Sequence, residues 1–282
     1  MDALIASLEQ TQILAMLGVL VLLFAWESFH PFYEYFVGRG KDRGKHMFRN
    51  LVMGVINALI GSLIFAALWL AVSVWANEAR FGLMHWLQDG LALPTWAHSL
   101  GAILLFDAWM YAWHRINHEV PFFWRFHKVH HSDNKMDVTT ASRFHFGEIF
   151  FSGVFRIAII ALFGIYFWEL VFYEIMMFTV VQFHHANIGL SHKADQILRV
   201  VIVTPDMHRV HHSRWQLETD SNYSSLFSFW DRIARTFRLR ENPEEIELGL
   251  DHYDDDKDQT VGGMLKTPLK NRKMDIDQKS YP

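Results

Sequence analysis

Apolar residues in this chain are massed in long uncharged runs, with charges crowded between and after them. That distribution is the pattern of a membrane protein. Gln12 to Trp26 is just long enough, with its flanks, to form a first membrane helix. Asp2 and Glu9, in place of a basic region, favour a retained helix over a cleaved signal peptide. Leu51 to Ala76 is uncharged and long enough to cross with some tilt. Asn77 to His98 reads as a short loop with an interfacial helix. Ser99 to Trp113 spans back with Asp107 as its only charge. Ile149 to Phe183 is too long for one helix and divides at Gly164 into Ile149–Phe163 and Tyr166–Phe183, two helices or a shallow re-entrant hairpin.

The predicted fold class is therefore all-α, a polytopic membrane helical bundle of about four to five membrane helices with a cytosolic helical cap. Between the first two spans lie Arg39, Lys41, Arg43, Lys45 and Arg49 with one acid, Asp42. The positive-inside rule places that loop in the cytoplasm. The helix count then brings the polar segments around residues 114–131, 184–185 and 204–212 to the same side.

Those segments are rich in histidine. His114 and His118 stand four apart at the end of an apolar helix, so both imidazoles project from one face. His127, His130 and His131 repeat the device at spacings of three and four, and Pro121 between the groups predicts a bend at Val120. The same word returns as His208, His211 and His212 after Thr204-Pro205-Asp206, a good helix start. Neutral imidazole is the commonest metal ligand, and a single ion uses about three or four protein ligands. Eight histidines in three groups predict two metal ions in one nest.

Composition narrows the chemistry. The net charge of −4 gives no basic field, so nucleic acid is not an expected partner. With no cysteine there is no disulfide, thiolate-ligated haem or cysteine-held iron–sulfur cluster. No Gly-rich dinucleotide fingerprint is present, and His30-Pro31 is followed by Phe32 and Tyr33 where a fused cytochrome b5 domain has Gly-Gly. Electrons for a redox site would come from another protein.

The words HRINH, HKVHH and HRVHH, with Asp107 and Tyr111 upstream in FDAWMYAWHRINH, resemble the fatty acid hydroxylase/sterol desaturase superfamily of integral-membrane, histidine-rich di-iron enzymes. TTASRFHFGE, HHAN around His185, TPDMHRVHHS and SNYSSLFSFWDR extend the resemblance over roughly Leu105 to Phe237. It implies an oxidoreductase that hydroxylates or desaturates a lipid C–H bond (sterol, fatty acyl or related) using O2. The implied cofactors are two iron ions, with zinc able to replace them in purified protein. The implied partners are a lipid from the bilayer and an external donor resembling cytochrome b5, ferredoxin or a reductase.

The expected ligand set is His114, His118, His127, His130, His131, His208, His211 and His212. The resemblance adds His185, and proximity adds His184. The family often places another histidine four residues upstream, where this chain has Val180 and Val181, leaving His184 and His145 as alternatives. His145 is either a ligand, a donor behind the ligands, or a helix-start residue near Glu148. Asp107, Asn187 and His145 are the expected catalytic residues, Asp107 because an acid two turns inside an apolar run is expensive without a partner. Glu119, Asp133, Glu148 and Asp231 are candidates to hold imidazoles in place. Phe106, Trp109, Met110, Phe155, Phe172, Met176 and Met177 are candidates to line a lipid pocket. His30, His46, His85, His98, His192 and His252 are read as interfacial or surface residues. The expected domains are N-terminal membrane helices over 1–104, a fatty acid hydroxylase-like catalytic domain over 105–239 and a polar tail over 240–282. The competing class is a membrane metal-binding protein, a zinc transporter or sensor, which would place ionisable groups near the midplane of several spans.

Overall fold

The computed structural model describes residues 2–36 and 38–270. It is an all-α membrane bundle, with no named β-strand among the described residues. Three stretches, Gln10–Phe29, Gly40–Leu91 and Phe146–Phe163, are long and apolar enough to cross a membrane. The first is most of α1 (Asp2–Phe29). The second holds α2 (Gly40–Ile60), a π-helical turn (Gly61–Phe65), α3 (Ala66–Glu78) and α4 (Leu83–Leu91), the short helix expected at the interface. The third is α7 (Phe146–Phe163).

The other two expected spans are α5 (Thr95–Glu119) and α8 (Phe167–His185). They fall below the hydropathy of the first three because they carry the interior polar residues. His98 and Asp107 are buried on α5, and Glu169 and Gln182 on α8. Lipid-facing helices show the opposite: Leu22 on α1 and Leu63 in the π turn are 71% and 78% exposed. In water such exposure would be costly; in a bilayer it is the stable arrangement.

Local chemistry sets the bends that matter for the site. Val120 is extended (φ −97°, ψ 112°) and Pro121 opens α6 (Pro121–His131), so α6 turns back against α5. A proline in the first turn loses no helical hydrogen bond, while its ring keeps the preceding residue out of the helix. α7 stops at Gly164, whose φ of +69° is left-handed. A Cβ there would meet the His85 ring at 2.7 Å and the Phe81 carbonyl at 2.9 Å, so glycine is required by both conformation and space. The π turn advances the register of α3 and lays the Phe65 ring on Gly153, where a Cβ would meet it at 2.5 Å. Trp69 then donates its Nε1 to the Gly153 carbonyl at 3.0 Å.

Behind the bundle come α9 (His192–Leu198) and α10 (Pro205–His211). Pro205 occupies the first turn of α10 as expected, but the Thr204 hydroxyl is not the cap. It donates instead to Asp195 Oδ1 at 2.6 Å, tying α10 to α9. The segment read as a polar tail does not hang free over residues 240–270. Ile246, Leu248, Leu250, Tyr253 and Met264 are buried; of these apolar residues scattered among acids, Ile246 and Leu248 pack with Met136 and Val210, and Met264 with Met53 and Val129. Residues 271–282 lie outside the described residues.

Candidate metal centre

Nine histidines converge in two groups at the end of the bundle where α5, α6, α8 and α10 meet. The first holds His114, His118, His127, His131 and His211; the second holds His130, His185, His208 and His212. Within each, one nitrogen per residue lies within 4.8 Å of all the others. Helical spacing explains the division. Each pair four apart (114 and 118, 127 and 131, 208 and 212) shares a group, because residues i and i+4 lie on one stripe. The remaining members of α6 and α10, His130 and His211, lie across the stripe and reach the opposite group. Each of these two helices therefore serves both groups, which stand side by side, with the His131 and His212 rings stacked at 4.5 Å.

Hydrogen bonds fix which nitrogen points inward. A backbone carbonyl only accepts, so the Nδ1–H of His114 must donate to Tyr223 O (2.8 Å), that of His211 to Ser221 O (2.6 Å) and that of His185 to Val181 O (2.7 Å). The His127 Nδ1 meets Glu148 Oε1 at 2.9 Å and the His118 Nδ1 meets Asp220 Oδ1 at 3.3 Å. Neutral rings so arranged carry bare lone pairs on Nε2.

Yet His114 Nε2 and His211 Nε2 stand 3.0 Å apart, as do His114 Nε2 and His127 Nε2. Double protonation is opposed, since burial and the surrounding imidazoles push His211 well below its ordinary value, as they do His130, His131, His208 and His212. Facing lone pairs repel unless a cation sits between them. Nitrogens about 2.1 Å from one ion and at right angles around it are separated by roughly 3.0 Å. The contacts in the second group, 2.9 Å for His185–His208, 3.0 Å for His130–His185 and 3.1 Å for His130–His212, match that edge too. The donor set fits metal ions in both groups.

His184 is not among the nine. Its ring stacks on His208 with centroids 3.9 Å apart and lines the adjoining cavity. His145 stands at the start of α7, where its Nδ1 accepts the Gly147 N–H at 2.9 Å, the helix-start role. Asp107 is 1% exposed and accepts from Tyr173 Oη (2.6 Å), Trp230 Nε1 (2.8 Å) and Phe227 N (3.1 Å), clamping the segment after the third His group onto α5. Asn187 exchanges hydrogen bonds of 2.8 Å with both the N–H and the carbonyl of Tyr33. None of Asp107, Asn187 and His145 lines the cavity.

Of the four acids, Glu148 alone touches an imidazole of the nest; Glu119 pairs with Arg115, Asp231 accepts from Tyr223 N and Ser224 N, and Asp133 bonds His46. Asp220 was missed, since nothing in its neighbourhood in the chain marks it. His85 and His98 are corrections: both are fully buried, with His98 Nδ1 on Glu169 Oε1 at 3.1 Å, a partner from another helix. His46 is likewise no surface residue, lying between Asp133 and Asp137.

The nest closes one end of a cavity of about 290 Å³. Its wall includes Trp69, Met110, Trp113, Phe144, Ile149 and Met177, so apolar surface predominates next to the inward nitrogens. Of the expected lining, Met110 and Met177 contribute; Phe155 and Phe172 are 39% and 47% exposed and face outward. Glu148→Gln should lower metal affinity or activity by about 10–100-fold, since it weakens the acceptor that sets the His127 tautomer. Metal titration of the variant checks this.

Two groups of closely packed, largely buried imidazoles beside a mostly apolar cavity define a class: helical membrane proteins with histidine clusters that could hold metal. The fatty acid hydroxylase family profile matches residues 99–236. Human alkylglycerol monooxygenase is 31% identical over 221 residues, covering 76% of this chain and 45% of that protein. The ornithine lipid hydroxylase OlsE of Rhizobium tropici is 26% identical, covering 68% of this chain and 56% of its own length. Human cholesterol 25-hydroxylase is 28% identical, covering 57% and 61%. The chain thus spans about half the length of the curated relatives it matches. No solved structure matches it significantly. The chain belongs to the fatty acid hydroxylase/sterol desaturase superfamily.

Proposed function

We propose that this protein is a membrane oxygenase that hydroxylates or desaturates a C–H bond of a lipid. The observation that carries the reading is the pair of facing, proton-free Nε2 atoms on His114 and His211, bordering an apolar cavity. One ion would be held by His114, His118, His127, His131 and His211, and the other by His130, His185, His208 and His212. Two iron ions there would supply O2 reduction and the power to oxidise an unactivated C–H bond, with electrons from an external donor.

The protein's own contribution is positional. The carbonyls of Tyr223, Ser221 and Val181 keep protons on Nδ1, so the inward nitrogens stay free to bind metal. Glu148 does the same for His127 while lining the cavity. The aromatic and methionine wall excludes water and takes up an alkyl chain. The two metal groups face one compartment, which by the basic residues at the start of α2 is the cytoplasm. A cysteine at Lys41, an exposed residue in the first turn of α2, should be labelled by an impermeant maleimide only when the cytoplasmic side is open. Labelling from the other side would overturn this topology.

The reaction is tested with iron-loaded protein, a chemical reductant, O2 and a total lipid extract, read by mass spectrometry. Products heavier by one oxygen or lighter by two hydrogens are expected, and they should vanish without O2. Their absence with both metal groups filled would refute the reading.

A further inference from the structure

Away from the nest, the same cavity holds a charge pair that the chemistry above does not use. Arg156 on α7 and Glu174 on α8 both line it and are ion-paired through Arg156 Nη1 and Glu174 Oε1. Gln12 of α1 donates to Glu174 Oε2 at 3.1 Å. Arg156 lies midway along Phe146–Phe163, a stretch apolar enough to cross the membrane. Ionisable residues at such depth are expensive, and those that persist mark substrate or ion paths.

The arrangement is also incomplete. Arg156 Nε is buried and has no acceptor among the described residues. Its guanidinium is held over the rings of Trp69 (5.3 Å) and Phe106 (5.6 Å), with Nη2 3.7 Å from Met110 Sδ. A buried guanidinium donor without an acceptor costs free energy that an incoming oxygen would recover.

We infer that Arg156, Glu174 and Gln12 form the site that recognises the polar end of the substrate, and that this end is an uncharged hydroxyl. The inference rests on the oxygenase reading for the meaning of "substrate", but the site itself follows from the cavity. The ion pair cancels its own charge, so a phosphate, a carboxylate or an ammonium would leave a net charge deep in the bundle. A hydroxyl leaves none. Its oxygen accepts from Arg156 Nε–H and its O–H donates a hydrogen bond to a carboxylate oxygen of Glu174.

Position adds a regiochemical consequence. Arg156 is eight residues beyond Glu148, which touches the His127 imidazole. At 1.5 Å per residue that is about 12 Å along α7. With C–C bonds near 1.5 Å and angles near 111°, an extended alkyl chain covers that span in roughly ten bonds. The site therefore selects oxidation remote from the hydroxyl, not beside it.

The test compares 1-octadecanol with octadecane, which lacks only the hydroxyl, on the iron-loaded protein in lipid nanodiscs. Binding is read by native mass spectrometry without reductant, so it needs no turnover. The parent should prefer the alcohol about ten- to a hundredfold, the worth of hydrogen bonds to charged groups. Arg156→Lys keeps the ion pair but has no Nε–H, and should lose most of that preference at unchanged iron content. Should R156K fold poorly, R156L/E174L replaces the pair with apolar side chains of similar bulk and should bind both ligands alike. Equal binding of the two ligands by the parent, or an undiminished preference in the variants, would overturn the inference and mark the pair as a helix tie only. With reductant and O2 added, octadecanol should be oxidised near its tenth carbon. Oxidation next to the hydroxyl would refute the placement. Absence of any oxidation despite selective binding would count against the oxygenase reading and leave this site standing.

Discussion

His211→Ala is expected to purify with about one iron per chain where the parent holds two, and to lose at least about a hundredfold in lipid oxidation. His211 is fully buried, its Nδ1–H is committed to Ser221 O, and its Nε2 stands 3.0 Å from His114 Nε2. Removing it takes one ligand from the first group and leaves the four members of the second untouched. His130→Ala is the mirror experiment, because His130 sits on α6 among first-group ligands yet points into the second group. It should also halve the iron while retaining the ion that His211→Ala loses. His30, exposed and outside both groups, is the control and should change neither quantity. Full iron and full turnover in either variant would refute the division.

The second large effect is on stability. Asp133 is fully buried and accepts from His46 Nε2 (2.9 Å), Thr140 Oγ1 (2.8 Å), Asn50 Nδ2 (3.3 Å) and Lys135 N (3.1 Å). Burial pushes its carboxyl up, but His46 and the 1%-exposed Arg143 outweigh that and hold it well below the usual carboxylate range. Asp133→Ala would leave His46 with Asp137 as its remaining carboxylate partner and would take the main compensating charge from the buried Arg143. Loss of one partner from a buried ionic network costs about 3–5 kcal/mol. For a chain of this size that is a fall in Tm of roughly 6–20 °C. Because the folded pKa is depressed, the contribution is complete above the ordinary carboxylate range and is lost only as pH falls through the folded value. The parent's advantage over the variant should therefore be flat between about pH 5 and 6, above the carboxylate range and below the range in which a histidine partner such as His46 titrates. Thermal unfolding in detergent across that range checks both points; a Tm within about 2 °C of the parent would contradict the role assigned to Asp133.

What the chain revealed by itself was local. The spacing of four places His114 with His118 and His208 with His212, and those pairs do share a group. Pro121 marks the fold-back of α6, and Gly164 marks the turn between α7 and α8. What stayed hidden depends on how helices cross. That His130 and His211 go to the group opposite their neighbours follows from the placement of α6 and α10 against each other, which no spacing encodes. His98 looks like an interfacial residue until Glu169, 71 positions away, is brought against it. Asp220 and His118 are 102 positions apart, and Asn187 holds Tyr33 across 154. Arg156, a lone cation in the apolar run of α7, meets its partner Glu174 only when α8 packs against α7. The folding of residues 240–270 was obscured by their acids, although Ile246, Leu248 and Leu250 carry the burial.

The most direct test of the central claim is to locate metal in the iron-loaded protein by anomalous scattering at the iron edge. The account predicts two peaks, one inside the ring of His114, His118, His127, His131 and His211 and one inside that of His130, His185, His208 and His212. A single peak, or peaks away from the inward Nε2 atoms, would contradict it.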